Sequence, residues 1–503
     1  MVAGLAILTA GLLAASLFSF NFCLIAWCGF IPLMFALESK SLRQAFLIAY
    51  FCGIVFWSLT IYWLIHVTLL GQIVLILYLA IYFGLFGCAI YFSRFLLANS
   101  GLFFLPASWV LLEYLRSYLF TGFPWALIGF SQYKNLAIIQ IADITGAWGV
   151  SFLVVLVNIG LYLIFRKQSR AKVFLICFVI LMFSLVYGAY KLNYQPFHFV
   201  KEKSIKISVV QGNIPQVLKW DKQAVNFILD NYKELTISAA VEDRPDLIIW
   251  PEASVPGIWG EDEAEFFQVF SLAGQLNTNL LVGAVSALSQ NYFNSALFIN
   301  QRGSLVGIYN KLHRVPFGEY IPFKKTFPFL ETIAPIGDIN PGREYTIFRL
   351  NPALLDKPVR ASAQPVNFGV LICFEDLFPE LSRKFVKQGA SFLVNITNDA
   401  WYKDSSAPYQ HFAASVFRSV ENHVYLARAA NTGISGFIDP AGRILKVVQN
   451  SQGKEIFVRG YRSQNICLAT IKRTIYNRYG DFLIFLCLLF NVYVITKYFK
   501  KNK

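Results

Sequence analysis

The sequence predicts two structural classes in one chain: a multi-span α-helical membrane domain and, ahead of its last span, a polar α/β domain whose sheets are covered by helices. Three observations predict this. The 503 residues are 56% hydrophobic and 15% charged, too apolar for an ordinary soluble enzyme. The apolar residues gather into runs long enough, or nearly so, to cross a bilayer. The long stretch without such runs, 199–480, alternates β-rich segments with amphipathic helical patterns.

The apolar runs lie at 2–19, 23–37, 45–66, 73–97, 102–119, 147–165, 172–190 and 481–498, which gives about eight spans. The second is short and the fourth carries Arg94. No basic segment precedes the first run, so a spanning helix is expected there rather than a cleaved leader. The expected organisation is a transmembrane domain over 1–198 with about seven spans, an outer domain over 199–480, and a final helix with a basic tail over 481–503.

Charge placement orients the chain, because short loops rich in Lys and Arg stay cytoplasmic. With eight spans, Lys40 and Arg43, Arg94, the Arg166, Lys167, Arg170 and Lys172 group, and the tail of Lys497, Lys500, Lys501 and Lys503 all fall on one side. The connections near Asn21 and near Gly71 and Gln72 carry no basic residue, and 199–480 shares their side. That domain is expected outside the cytoplasm, on the periplasmic face of an inner membrane. The net charge of +15 is then read as topology, and no nucleic-acid partner is expected. Lys201, Lys203, Lys206, Lys472, Arg473 and Arg478 lie near the domain junctions, where they meet anionic headgroups or serve as solvated flanks.

Cys23, Cys28, Cys52, Cys88, Cys177 and Cys487 sit in apolar runs, leaving Cys373 and Cys467 in the outer domain. No disulfide framework is expected, although a Cys373–Cys467 pair stays open. His66, His198, His313, His411 and His423 show no ligand spacing with Cys or acidic neighbours, so neither a metal nor another cofactor is expected.

Within the outer domain, strands are predicted at 205–211, 246–250, 280–285, 296–300, 367–373 and 391–397, with helices near 220–242, 261–276, 378–388 and 408–423. Polar residues appear where three strands stop: Glu252, then Cys373 with Glu375, then Asn398 with Asp399. Open α/β sheets place their sites at such carboxyl ends. The segments LIIWPE, YNKLHRVPFGEY and GVLICFED supply a carboxylate at Glu252, an ammonium at Lys311 and a thiol at Cys373, a set suited to covalent acyl chemistry.

WPE at 250–252, NKLHRVPFGEY at 310–320, CFED at 373–376 and NDAWY at 398–402 resemble the carbon-nitrogen hydrolase (nitrilase) superfamily. With spans on both sides of the domain, TGFPW at 121–125, GFSQ at 129–132 and QGNIPQVLKWD at 211–221, the chain is similar to the membrane-embedded acyltransferase branch of that superfamily. The resemblance covers essentially the whole chain. It implies an αββα sandwich and a Glu-Lys-Cys catalytic set.

On that reading Cys373 is the nucleophile rather than a small core residue. Glu252 is the general base and later the acid, rather than a turn carboxylate. Lys311 stabilises the thiolate and the tetrahedral oxyanion with a backbone N–H after Cys373, rather than being solvated. Glu319 and Glu375 either support Lys311 and the substrate amine or are structural. By resemblance, Asn294, Trp220, Trp401 and Tyr402 line the substrate path. Phe374 departs from the aromatic hydroxyl frequent after the family's nucleophile, so it takes no polar role. The Phe- and Pro-rich stretch 321–340 reads as a lipid-contacting loop, and 121–146 as an irregular arm at the lipid entrance.

The resemblance implies ping-pong transfer: an acyl chain passes from a phospholipid through a Cys373 thioester to the N-terminal amine of the diacylglyceryl-cysteine of an apolipoprotein. The alternative is a membrane-bound amidase with water as acceptor. A transporter or receptor is less supported, because the spans carry few charges.

Overall fold

The computed structural model describes all residues except 19–21, 97, 168–169, 195–198, 323, 325–337, 352–364, 470–472 and 502–503. Most of the 321–340 loop, together with Lys472 and Lys503, lies outside the described residues. The chain forms two compact units: Met1–Gln195 with Thr474–Lys503, and Pro196–Arg473.

In the first unit each predicted apolar run contains helix. Among the described residues, Leu42–Thr60, Leu69–Ser93, Ala147–Phe165, Ala171–Asn193 and Phe482–Lys500 are long and apolar enough to cross a membrane. The other three runs differ from uninterrupted apolar spans. Val2–Ser16 has 15 residues, about 22 Å at 1.5 Å per residue, short of the roughly 30 Å apolar thickness. The run 23–37 breaks into a 3₁₀ turn, Cys23–Trp27, and a helix, Ile31–Leu37, with Pro32 in its first turn. Asn158 repairs that break, accepting from the Phe30 N–H at 2.8 Å and donating to the Ala26 carbonyl at 2.8 Å. Helix Ala98–Tyr118 carries buried Glu113 and Arg116. Glu113 accepts the Ile128 N–H at 2.8 Å, and Arg116 donates to the carbonyls of Phe123 and Trp125 at 2.5 and 2.7 Å. These two side chains satisfy backbone groups of 123–128 in an apolar setting, while the rest of the arm expected to be irregular holds the short helical segments Ile128–Gln132, Leu136–Ile139 and Ala142–Thr145.

The unit's carboxyl-terminal part starts at Thr474, earlier than the expected 481. Gly146 explains this: a Cβ there would meet the Tyr476 ring at 2.6 Å. Tyr476 and Trp148 also both donate to Asp481, at 3.0 and 2.9 Å.

The second unit runs β1 Phe199–Gln211, α1 Val225–Asp243, β2 Leu247–Ile249, β3 Ile258–Trp259, α2 Glu263–Gln275, β4 Asn279–Leu288, β5 Asn291–Ile299, β6 Leu305–Asn310 and β7 Phe348–Leu350. It continues with β8 Val366–Ile372, α3 Pro379–Lys387, β9 Phe392–Thr397, α4 Ala407–Asn422, β10 Tyr425–Ala430, β11 Gly436–Ile438, β12 Ile444–Val447 and β13 Gly460–Ala469. One sheet has the order β13-β1-β2-β4-β5-β6, with β3 beside β4, and the other β12-β11-β10-β9-β8-β7. Each has a parallel centre, β1-β2-β4 and β8-β9-β10, flanked by antiparallel strands.

Alternation along the strands builds the layers. Ile248, Trp250, Leu280, Val282 and Leu297 face α1 and α2, where Trp250 stacks on Tyr232 with centroids 4.9 Å apart. On the opposite face Phe298 of β5 packs edge-on against Phe348 of β7 and Phe368 of β8, at 5.6 and 5.4 Å. Beyond the second sheet, Phe385 of α3 lies over Gly369, where a Cβ would approach its ring to 2.7 Å. The result is the helix–sheet–sheet–helix sandwich that the motifs imply. Each such buried aromatic contributes about 1.5–3 kcal/mol.

Candidate active site

Three strand ends of the sandwich bring the predicted residues together. Glu252 follows β2 in a turn lying across β4. Gly283 makes room for it, since a Cβ there would meet the Pro251 oxygen at 2.4 Å and the Glu252 Cα at 2.6 Å. Lys311 follows β6, its N–H donating to the Asn294 carbonyl at 2.8 Å and so extending the β5–β6 ladder. Cys373 follows β8 and opens the 3₁₀ turn Cys373–Leu377 with φ +53°. A left-handed non-glycine residue costs about 1–3 kcal/mol and is concentrated at functional turns.

Asn294 joins the carboxylates, its Nδ2 donating to Glu252 Oε1 and Glu319 Oε1, both at 2.7 Å. The Lys311 Nζ donates to Glu319 Oε1 at 3.0 Å and to Glu252 Oε1 at 3.5 Å, and Glu319 Oε2 accepts the Val315 N–H at 2.8 Å. Burial opposes the Lys311 charge, but Glu319, then Glu252 and Cys373, hold its affinity for the proton above the ordinary lysine value. Burial pushes the Cys373 thiol well up, Glu252 adds to this, and Lys311 offsets it in part. The resting sulfur is therefore protonated and needs a base at the moment it attacks.

Glu375 braces the ends of β6 and β8. Its oxygens accept from the N–H groups of Leu312, His313 and Ile372 at 2.6, 3.0 and 2.7 Å, and from the Tyr309 hydroxyl at 2.9 Å. These neighbours flank Lys311 and Cys373 in the chain. Burial raises the Glu375 carboxyl to about 7 despite these donors.

Trp220 and Trp401 are 60% and 50% exposed and do not join the buried network. The Tyr402 hydroxyl is pushed well up by burial and then by Cys373, Asp399 and Glu252, so it lies within the electrostatic reach of the site.

Sequence reasoning missed two parts of this region. Lys219 is buried and donates to the carbonyls of Glu252 and Ala253 at 2.9 and 3.1 Å. It stands inside the QGNIPQVLKWD signature, so the motif located it without suggesting its contact. Behind Cys373, His411 has both ring nitrogens on carboxylates, Nδ1 at 3.0 Å from Asp399 and Nε2 at 2.8 Å from Asp376. Nε2 also lies 3.2 Å from the Cys373 carbonyl. Arg428 donates to Asp376 at 2.8 Å and to Asp399 at 3.3 Å. The Arg428 Nη2 also lies 2.9 Å from His411 Nδ1, so imidazole and guanidinium share the two carboxylates. Burial and Arg428 oppose a charge on His411, whereas Asp376 and Asp399 favour it, and the balance raises its pKa to about 9. Metal-ligand spacing along the sequence carries no signal for this cluster, whose members His411, Asp376, Asp399 and Arg428 meet only in the fold.

A family model described as the apolipoprotein N-acyltransferase N-terminal domain matches residues 9–160, and the carbon-nitrogen hydrolase model matches 206–474. The chain is 36% identical to an apolipoprotein N-acyltransferase of Geobacter metallireducens, over 96% of this chain and 92% of that protein. It is 32% identical to one of Rickettsia typhi, over 82% of this chain and 81% of that protein. Among solved structures, a nitrilase-superfamily amidase of Nesterenkonia AN1 aligns with a TM-score of 0.41 at 16% identity, covering 57% of this chain and 98% of that one.

Proposed function

The chain belongs to the apolipoprotein N-acyltransferase family of carbon-nitrogen hydrolases, and on that premise we propose how its own residues carry the acyl group. Glu252 takes the proton of the Cys373 thiol as the sulfur attacks an ester carbonyl of a phospholipid. A C–S bond forms, and Lys311 faces the tetrahedral oxyanion. Collapse breaks the ester C–O bond, and Glu252 returns the proton to the leaving alkoxide, releasing a lysophospholipid and leaving a Cys373 thioester. The α-amine of the diacylglyceryl-cysteine of an apolipoprotein then attacks the thioester. Glu252 takes the amine proton, the C–S bond breaks, and the proton returns to sulfur.

The observation that carries this reading is the buried hydrogen-bonded network joining Glu252, Asn294, Glu319 and Lys311, with the buried Cys373 within electrostatic reach of Glu252 and Lys311. Asn294 and Glu319 orient base and ammonium, and Glu375 fixes the two strand ends. Trp220, Trp401 and Tyr402 line the path of the acyl donor and the acceptor. No cofactor takes part in these steps.

The basic loops support an inner-membrane location with about eight spans, the three shorter or charged runs included, and a catalytic unit on the periplasmic side. Both substrates are lipid-anchored, which gives the membrane unit its purpose. The amidase alternative is not favoured, because it leaves the apolar spans unexplained.

Lysophospholipid release by the purified protein, measured with and without a diacylated lipopeptide, tests the proposal. One equivalent is expected without acceptor and multiple turnovers with it. Sustained release of free fatty acid without acceptor would point to hydrolysis instead.

A further inference from the structure

We propose that Lys219 is a positioning residue for Glu252, clamping the turn that aims this carboxylate and tying that turn to the exposed loop carrying Val217 and Trp220. The inference rests on the role of Glu252 given above.

Three features carry it. First, the Lys219 Nζ spans the carbonyls of two consecutive residues, Glu252 at 2.9 Å and Ala253 at 3.1 Å, and the lysine is 5% exposed. A buried ammonium devoted to two main-chain oxygens fixes the course of that backbone. Second, the backbone it fixes is strained: Ala253 has φ +47°, a left-handed conformation for which an L side chain needs outside support. Contacts from Ser254 N and Val255 N to the Gly283 carbonyl at 2.9 and 3.2 Å, and from Gly283 N to the Pro251 carbonyl at 3.2 Å, hold the turn to β4, and the Glu252 and Ala253 carbonyls accept from Lys219. Third, the loop is held by Gln216, Leu218 and Lys219, with Leu218 packed on the core, while its other apolar residues are exposed. Gln216 accepts from Asn398 at 2.7 Å and Lys219 reaches inward, while Val217 and Trp220 are 83% and 60% exposed. A contact made by the apolar outer residues is thus transmitted to the base through Lys219.

Charge supports the same assignment. Glu252 and Glu319 face Lys311, and Lys219 brings a second ammonium to the Glu252 side of the pocket. An uncompensated buried carboxylate is costly. Burial lowers the Lys219 ammonium to about 8, with Glu252 and Cys373 acting in the opposite direction.

The test uses the full-length enzyme in phospholipid vesicles, with single-turnover lysophospholipid release read as rate against phospholipid concentration. K219M is expected to slow the step at least tenfold while leaving the half-saturating phospholipid concentration within twofold. K219R, which can donate to both carbonyls, is expected to recover most of the rate. If K219M is not recovered folded, K219Q takes its place with the same expected loss, because its side chain is too short to reach both carbonyls. A wild-type rate in the methionine or glutamine variant would overturn the proposal, as would a loss confined to half-saturation or an arginine variant as slow as the methionine one. Parallel measurement of E252Q keeps the two readings separate. A normal rate in E252Q removes Glu252 as the base, whereas a slow E252Q beside a normal K219M removes only the clamp.

Discussion

The Tyr309 hydroxyl lies 2.9 Å from both oxygens of Glu375, so the end of strand β6 and the turn after β8 share one buried carboxyl. Tyr309→Phe removes this donor and leaves the carboxyl to backbone N–H groups. A loss of about 1–3 kcal/mol of stability is expected from chemical denaturation of the outer unit. The Glu375 carboxyl is raised from 4.5 to about 7, so the proton favours the folded state. Its contribution is fully present below about 4.5 and is lost as pH rises through about 7. Glu375→Gln should flatten stability across that window, and an unchanged slope would assign it to another group.

His411 gives the second pH prediction. Its pKa is raised from 6.5 to about 9, so its contribution is fully present below about 6.5 and lost as pH rises through about 9. His411→Gln removes one of the donors shared by Asp376 and Asp399 while Arg428 still serves both, an effect of about 1–3 kcal/mol. The expected readout is a lower unfolding midpoint at pH 7 with little further change up to pH 9, where the wild type declines.

Much of the sandwich was legible because β1, β2, β4, β5, β8 and β9 are apolar runs bounded by polar residues. The remaining strands were not. Residues Ile444 and Leu445 of β12 are exposed, and β10 is interrupted by Arg428, whose charge is intelligible only once Asp376 and Asp399 lie against it. At the site, Glu252, Lys311 and Cys373 were legible because each ends a strand inside a distinctive motif. The bridging work of Asn294 depends on the β4–β5–β6 register and on a turn from elsewhere in the chain, which no local pattern reports. In the membrane unit, length and composition marked the apolar runs but not the break that Asn158 repairs.

Lys311→Arg tests position against charge. The guanidinium keeps the charge but spreads it over a planar fork, while the Nζ it replaces sits within 3.0 Å of Glu319 in a pocket that leaves Lys311 1% exposed. Acylation is expected to fall by about 10²–10³-fold, read as the lysophospholipid burst. A near-normal burst would show that charge alone suffices.

The orientation is testable without activity. A cysteine placed at the exposed Ser451 should react with an impermeant thiol reagent from outside the inner membrane, and a reporter fused after Lys503 should work only as a cytoplasmic one. Labelling of position 451 solely from the cytoplasmic side would reverse the topology and displace lipoproteins as acceptors.

The covalent intermediate is the central claim, and mass spectrometry of the Cys373 peptide after incubation with phospholipid alone tests it most directly. The account predicts a mass increment of one acyl chain on Cys373, discharged when a lipopeptide amine is added, and absent from Cys373→Ala, which should still insert into the membrane. Transfer at the wild-type rate by Cys373→Ala, or an acyl adduct on any other residue, would contradict it.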